Sequence, residues 1–226
     1  MSLQTVVDYL TALEQNNQRE WYHANKIWYQ EANQEFERLV STLMEGLRQT
    51  DPAIPVVNPK ELTFKLNRDT RFSHDKSPYL PAFRAHIGPK GKLPIPVGYY
   101  LQLRPGGRSF LGGGLFADMF REATSMVRDY IASHGDTWQT IVSELDCMKC
   151  VTVGGSALKN VPRGYDPQHP QGEYLKQKSW YLEVPISDQE LLEEGFPDRA
   201  VTMFKAMQPF NGFLNQALEG FTMPTR

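Results

Sequence analysis

Charged side chains are concentrated in one short stretch of this 226-residue sequence, from Asn67 to Tyr79, which reads NRDTRFSHDKSPY. The region around it, from Lys60 to Lys92, carries eight basic and three acidic residues and is therefore locally basic. A guanidinium group binds a phosphate or a carboxylate through two parallel hydrogen bonds. We therefore predict an anion-binding site here, and the proposed ligand contacts are Arg68, Arg71, Lys76 and Tyr79.

The same stretch contains two carboxylates, Asp69 and Asp75, which are candidate catalytic acids or bases. An adjacent arginine favours the ionised carboxylate and lowers its pKa, which suits orientation of a ligand better than proton donation. A simpler interpretation stays open. The arginines and carboxylates can form a salt-bridge network that only holds a long loop in place.

A second basic and aromatic stretch, LKNVPRGYDPQHPQGEYLKQK, spans residues 158–178. Rigid loops with polar tips commonly present binding sites, so Arg163 and Tyr165 are further candidate ligand contacts. His169 is a candidate general acid or base because imidazole titrates near neutral pH. If the two stretches fold together, Arg163 converges with the basic side chains of the first one. The alternative is that Arg163 binds carbonyl groups of its own turn.

Other short motifs do not indicate a site. Cys147 and Cys150 have the CxxC spacing, but tetrahedral zinc requires two further ligands. The five histidines show no HxH or HExxH spacing, so we predict no metal site and no cofactor. The glycines at 112–114 lack the flanking residues of a phosphate-binding loop, and they indicate a bulge or a close backbone approach.

Hydrophobic periodicity predicts the elements that position these stretches. The expected helices are 3–13, 18–49 in one or two pieces, 119–131 ending near Gly135, 136–145 and 201–218. The expected strands are 61–67, 97–104, 108–116, 151–153 and 180–186, with a long connection over 68–96. Asn17 and Glu20 predict a helix N-cap, as do Ser187 and Glu190.

Strands in the middle of the chain and helices at both ends predict an α+β fold. We expect a largely antiparallel sheet with helices from both chain ends packed on it. The turn at 105–107 predicts a hairpin, on which the aromatic rings of Tyr99, Tyr100 and Phe110 indicate core packing. No repeat or flexible linker divides the sequence, so we predict a single domain over residues 1–226.

Composition narrows the function classes. The formal net charge is only −2, so no global field draws the molecule to nucleic acid or to an anionic membrane. The first residues lack a basic leader with a continuous apolar core, and no apolar run approaches ~18 residues, so we predict a cytoplasmic protein without a membrane span.

The leading functional prediction is binding of a phosphorylated or carboxylated small molecule in a basic, aromatic-lined pocket, with or without catalysis. The alternative is a non-catalytic module that binds nucleic acid, which is not favoured, or a protein partner. A third interpretation is the purely structural salt-bridge network. The oligomeric state is not predicted.

Four segments resemble, in order and spacing, those of the domain-of-unknown-function family 2461. They are NNQREWYHANKIWYQ, NRDTRFSHDKSPY, GYYLQLRPGGRSFLGGGLF and LKNVPRGYDPQHPQGEYLKQKSW. The pattern RDTRFS-DK-PY falls on residues 68–79. The resemblance implies no particular activity, because the family has none established. It adds Asn25, Lys26 and Tyr29 as candidates for the same surface.

Overall fold

The computed structural model describes residues 3–116, 118–146 and 151–224. The strands in these ranges are β1 (Phe83–Ile87), β2 (Gly98–Leu103), β3 (Ser109–Leu115), β4 (Thr152–Gly154) and β5 (Trp180–Ile186). The helices are α1 (Gln4–Gln15), α2 (Arg19–Ala24), α3 (Lys26–Arg48), α4 (Pro59–Leu62), α5 (Arg121–Ser133), α6 (Gly135–Asp146), α7 (Gly172–Leu175), α8 (Asp188–Leu192) and α9 (Phe196–Ala217). The predicted α+β class is confirmed.

The five strands form one sheet in the order β1-β2-β3-β5-β4, and each neighbouring pair is antiparallel. β2 and β3 form the predicted hairpin. Its turn contains Gly106 and Gly107, whose φ angles of 84° and 69° favour glycine because a Cβ would clash with the backbone. β1 and β4 are therefore the two edge strands of the sheet.

Helices from both ends of the chain pack on one face of this sheet, as predicted. The ring of Phe36 on α3 stacks on Phe83 of β1 at 5.3 Å between centroids. α9 lies against β3, where a Cβ on Gly113 would come within 3.0 Å of the Asn211 Oδ1. Glycine at this position thus permits the close backbone approach that the sequence indicated.

The opposite face of the sheet has a different composition, and we call it the open face. One row of residues crosses it, because the register pairs His86 with Tyr100, Tyr100 with Gly112, and Gly112 with Glu183. Tyr100 and Phe110 stack on this face and are half-buried, whereas Tyr99 points to the helices and is buried. The prediction of core packing was therefore wrong for Tyr100 and Phe110, because alternation along a strand does not reveal which face is covered.

The predicted strand over 61–67 was also wrong. Asn58 accepts a hydrogen bond from the Lys60 backbone N–H and forms a capping box with Glu61, which starts the short helix α4 at Pro59. The edge strand β1 lies instead within the predicted connection 68–96. Helix α5 ends at Ser133 with His134 as its C-cap, so Gly135 follows the cap as predicted, and it is also the first residue of α6.

Within the described ranges, the helices are too short or too polar to cross a membrane. Cys147 and Cys150 lie outside the described residues. The single-domain and cytoplasmic assignments stay predictions.

Candidate functional site

The predicted anion-binding stretch forms a closed loop, which we call the 67–79 loop. Asn67 and Tyr79 form an isolated antiparallel bridge, and the Arg68 backbone N–H donates to the Pro78 carbonyl at 2.9 Å. The two ends of the loop are thus fixed next to each other. These paired ends are the base of the loop, and residues 68–78 project from it.

Asn17 attaches this base to the helices. Its Nδ2 donates to the Tyr79 carbonyl at 2.8 Å, and its Oδ1 accepts from the Tyr79 backbone N–H at 3.1 Å. The predicted N-cap role of Asn17 was therefore wrong: Gln18 occupies the N-cap of α2, without a side-chain capping bond. The amide of Asn17 bridges to a segment 62 residues away instead of capping its own helix.

An aromatic contact strengthens the same attachment. The rings of Tyr22 on α2 and Tyr79 stack at 4.4 Å between centroids with an interplanar angle of 21°. Tyr79 is 4% exposed. Burial is the main cause that raises the pKa of Tyr22 to about 12, so this phenol remains a hydrogen-bond donor at neutral pH. Tyr79 therefore contributes mainly to positioning α2 against the loop.

Two ion pairs form between side chains of the loop. Arg71 binds Asp69 through both carboxylate oxygens, with a shortest N–O distance of 2.6 Å, and Arg68 pairs with Asp75. Hydrogen bonds from Arg71 lower the pKa of Asp69, and hydrogen bonds from Ser77 and Arg68 lower that of Asp75. Both carboxylates are ionised at neutral pH, which makes them poor proton donors.

A cleft of about 580 Å³ lies between α2 and the 67–79 loop. Its lining includes three cationic side chains, Arg19, Arg68 and Lys76, and one carboxylate, Glu20, among the described residues. Lys76 donates to the Thr70 carbonyl at 3.0 Å and has no carboxylate partner in the described chain. The Arg19 guanidinium makes neither a hydrogen bond nor an ion pair to a described residue. Two of the three cations are thus available to an anion.

Arg19 and His23 line the same cleft from α2, and neither was among the predicted site residues. They lie four positions apart and therefore share one side of the helix. The only sequence signal for them was the family-like segment NNQREWYHANKIWYQ, which contains both. That segment pointed instead to Asn25, Lys26 and Tyr29, none of which lines the cleft.

Comparison with known families identifies the chain. A family model described as "Conserved hypothetical protein (DUF2461)" matches residues 5–213. The chain belongs to this family. The DUF2461 match covers α2, the 67–79 loop and the second basic stretch, and it confirms the resemblance seen in the sequence. Comparisons with curated proteins and with solved structures give no match.

Arg71 does not line the cleft of this DUF2461 chain. Its side chain is 77% exposed and lies 5.7 Å from the ring centroid of Phe72, itself 94% exposed. Asp69 and Asp75 are also absent from the cleft lining. Of the first-loop predictions, Arg68, Lys76 and Tyr79 come together at one site, whereas the remaining three point to solvent.

The second stretch lies elsewhere and makes its own local contacts. The Tyr165 hydroxyl donates to Asp129 of α5 at 2.7 Å, and burial is the main cause that raises its pKa to about 12. His169 accepts from the Gln171 backbone N–H through Nδ1, at 3.0 Å, so its Nε2 carries the proton and donates to the Ala132 carbonyl at 3.3 Å. Arg163 is exposed.

The two stretches lie at opposite edges of the sheet. The 67–79 loop leads into β1, whereas residues 158–178 connect β4 to β5 and contact α5. Four strand spacings separate the edges, roughly 19 Å at the usual distance between neighbouring strands. His169 lines a separate depression at the start of α6. The structure therefore does not bring Arg163 together with Arg71 and Lys76.

The described residues contain no group of three or more histidine, cysteine, aspartate or glutamate side chains that could hold a metal ion.

Proposed function

We propose that the cleft between α2 and the 67–79 loop binds a small molecule that carries a phosphate or carboxylate group. The observation that carries this proposal is the pair of cationic side chains, Arg19 and Lys76, that face the cleft without a carboxylate partner in the described chain. A bound anion supplies the missing negative charge. Arg68 adds a third positive charge, which it shares with Asp75.

The two cations have different tasks in this proposal. The planar guanidinium of Arg19 binds two oxygens of a phosphate or carboxylate at once. The ammonium of Lys76 acts as a point charge from the opposite wall, where its bond to Thr70 holds it in position. The phenol of Tyr22 remains protonated and lines the same cleft, where its hydrogen bond to Tyr29 holds the ring in place. The proposal concerns binding and assigns no reaction.

Thermal unfolding in the presence of inorganic phosphate, citrate and a sugar phosphate tests the proposal. A ligand at ~100 times its dissociation constant adds about 2.7 kcal/mol of apparent stability. Arg19→Gln and Lys76→Gln should each raise the dissociation constant of the best probe about tenfold, because each removes one charge-assisted contact. Arg71→Gln is the matched control, since it removes a charge from the same loop outside the cleft.

Two results would overturn the proposal. One is the absence of any thermal shift with all three probes. The other is a loss of affinity in Arg71→Gln as large as that in Lys76→Gln. A single-stranded oligonucleotide separates the nucleic-acid alternative, because a polyanion with six phosphate contacts loses ~10³ in affinity between 50 and 200 mM salt.

A further inference from the structure

A second pocket of about 260 Å³ lies on the open face of the sheet, and we call it the aromatic pocket. Four aromatic side chains line it: Phe64, Tyr100, Phe110 and Phe116. Glu183 and the backbone of Gly114 complete much of its wall. It shares no described lining residue with the cleft beside α2.

A glycine creates the space for these rings. Gly112 lies between Tyr100 of β2 and Glu183 of β5 in the sheet register. A Cβ on Gly112 would lie 3.0 Å from the Cζ of Phe116 and 2.9 Å from the Leu182 carbonyl oxygen. The ring of Phe116 thus occupies the space above β3 that a side chain would otherwise take.

The rings form a continuous band across three strands. Tyr100 stacks on Phe110 at 5.6 Å, and Phe116 stacks on Tyr181 at 4.5 Å between centroids. A tilted contact of 5.4 Å between Tyr100 and Phe116 joins the two pairs. All four rings are half-buried, so they present part of their aromatic surface to solvent.

Glu183 is the acidic group of this pocket. It has neither a hydrogen bond nor an ion pair to any described residue. Partial burial beside the rings raises the pKa of its carboxyl. Glu183 is an exposed residue at the edge of these rings, so its carboxylate is accessible to a cation that enters the pocket.

The other charged groups of the pocket lie at its far wall. The Lys92 ammonium is 5.9 Å from the Phe64 ring centroid and donates to the Thr63 carbonyl at 3.0 Å, and the Arg84 guanidinium lies over the same ring. The Arg84 guanidinium also hydrogen-bonds the Tyr100 side chain, so both cations are held by groups on the side of the pocket next to β1. His86 donates through Nδ1 to the Gly91 carbonyl, and burial lowers its pKa, so it is neutral at pH 7.

We propose that the aromatic pocket binds a small organic ammonium ion, with its cationic nitrogen beside Glu183 and the neighbouring rings. Aromatic rings attract cations through their quadrupole, and a methylated ammonium also buries its apolar methyl groups against them. The carboxylate supplies the opposite charge. Lys92 and Arg84 are engaged at the Phe64 ring, and neither forms an ion pair with Glu183 among the described residues.

Choline and its neutral isostere 3,3-dimethylbutan-1-ol test this proposal by calorimetric titration of the full chain. They have nearly the same shape and differ in the positive charge. Choline should bind at least about tenfold more tightly than the alcohol. Glu183→Gln should remove most of that difference, and Glu194→Gln, which deletes an exposed carboxylate outside the pocket, should leave it unchanged.

Equal affinity for choline and the alcohol would overturn the proposal, as would an absence of binding by both. Retention of the full preference for choline in Glu183→Gln would also overturn it. A short peptide with a trimethyllysine side chain carries the same chemical group. Tighter binding of this peptide than of choline would support the pocket and assign the ammonium to a modified side chain, whereas the reverse order would assign it to a free small molecule.

Discussion

The cleft beside α2 and the aromatic pocket on the open face are built by opposite means. The cleft depends on side-chain contacts between distant segments: Asn17 binds the backbone of Tyr79, and Tyr22 stacks on its ring. The pocket depends on the sheet itself, where Gly112 leaves space for Phe116. The cleft is cationic, and the pocket has a carboxylate without an ion pair in the part of the chain that the structure describes. One chain thus carries a cationic cleft beside a loop and a pocket with an acidic side chain on a sheet.

The largest effect should come from Gly112→Ala in the sheet. The new Cβ would meet the Leu182 carbonyl oxygen at 2.9 Å, so the backbone of β3 and β5 must separate. We expect a loss of about 1–3 kcal/mol in the free energy of unfolding, measured in urea, because overpacking against backbone is poorly relieved. Gly212→Ala is the control, since nothing lies within 4 Å of its new Cβ. Equal stability of both variants would contradict the close approach of Gly112 to β5 and Phe116.

Asn17→Ala should have the next largest effect, on the loop. It removes two hydrogen bonds to the backbone of Tyr79 and leaves those polar groups partly buried without partners. We expect a loss of about 1–2 kcal/mol, with faster amide hydrogen exchange confined to residues 67–79 and α2. Asn16→Ala deletes an amide that bonds only to Ala12 of its own helix, so it is the matched control. An unchanged exchange rate in the loop would refute the role of Asn17.

The pKa values of the carboxyl groups in the two regions should be shifted in opposite directions. The pKa of Asp75 and of Asp69 lies below the ordinary value because of their hydrogen bonds, and that of Glu183 lies above it because of burial. The stabilising effect of the two aspartates is complete above their unfolded pKa and is lost as the pH falls toward the lowered values. Glu183 has the opposite sign: its contribution to stability falls as the pH rises through its raised pKa. Carbon-13 NMR of the carboxyl groups checks the order, and Glu183 titrating with Asp75 would contradict it.

The smallest effect should come from Arg71→Ala. Its ion pair with Asp69 is exposed on both sides, and exposed pairs contribute little. We expect the melting temperature to change by no more than about 1 °C. A larger decrease would support the structural-network interpretation of the loop.

Much of the fold followed from the sequence. Periodicity identified α1, α3, the β2–β3 hairpin and β5, and the capping box of Ser187 and Glu190 is present. It failed at 61–67, where local capping by Asn58 outweighed the strand-like composition, because helix-cap bonds act within a few residues. Strand β1 escaped notice because it is five residues long and lies in a stretch rich in prolines and glycines.

The candidate site was only partly predictable. The charge of the 67–79 loop was visible, but its partners were not, because Asn17 and Arg19 reach it through tertiary contacts. Sequence could not show that Arg71 turns to solvent while Lys76 faces the cleft, since the difference depends on the path of the loop. Sequence also could not show which of Tyr99 and Tyr100 points to the helices. Neighbouring residues of a strand point to opposite faces, and the pattern does not reveal which face is covered.

Because the two ends of the 67–79 loop are paired with each other, the segment between them can be replaced as a unit. The chain enters and leaves through one bridge between Asn67 and Tyr79, which Asn17 holds from outside. Insertions or replacements between these positions change the cleft wall without displacing β1, because the closure entropy grows only slowly with loop length. The shape and charge of the cleft wall can therefore be changed in residues 68–78 while α2 and the sheet stay fixed.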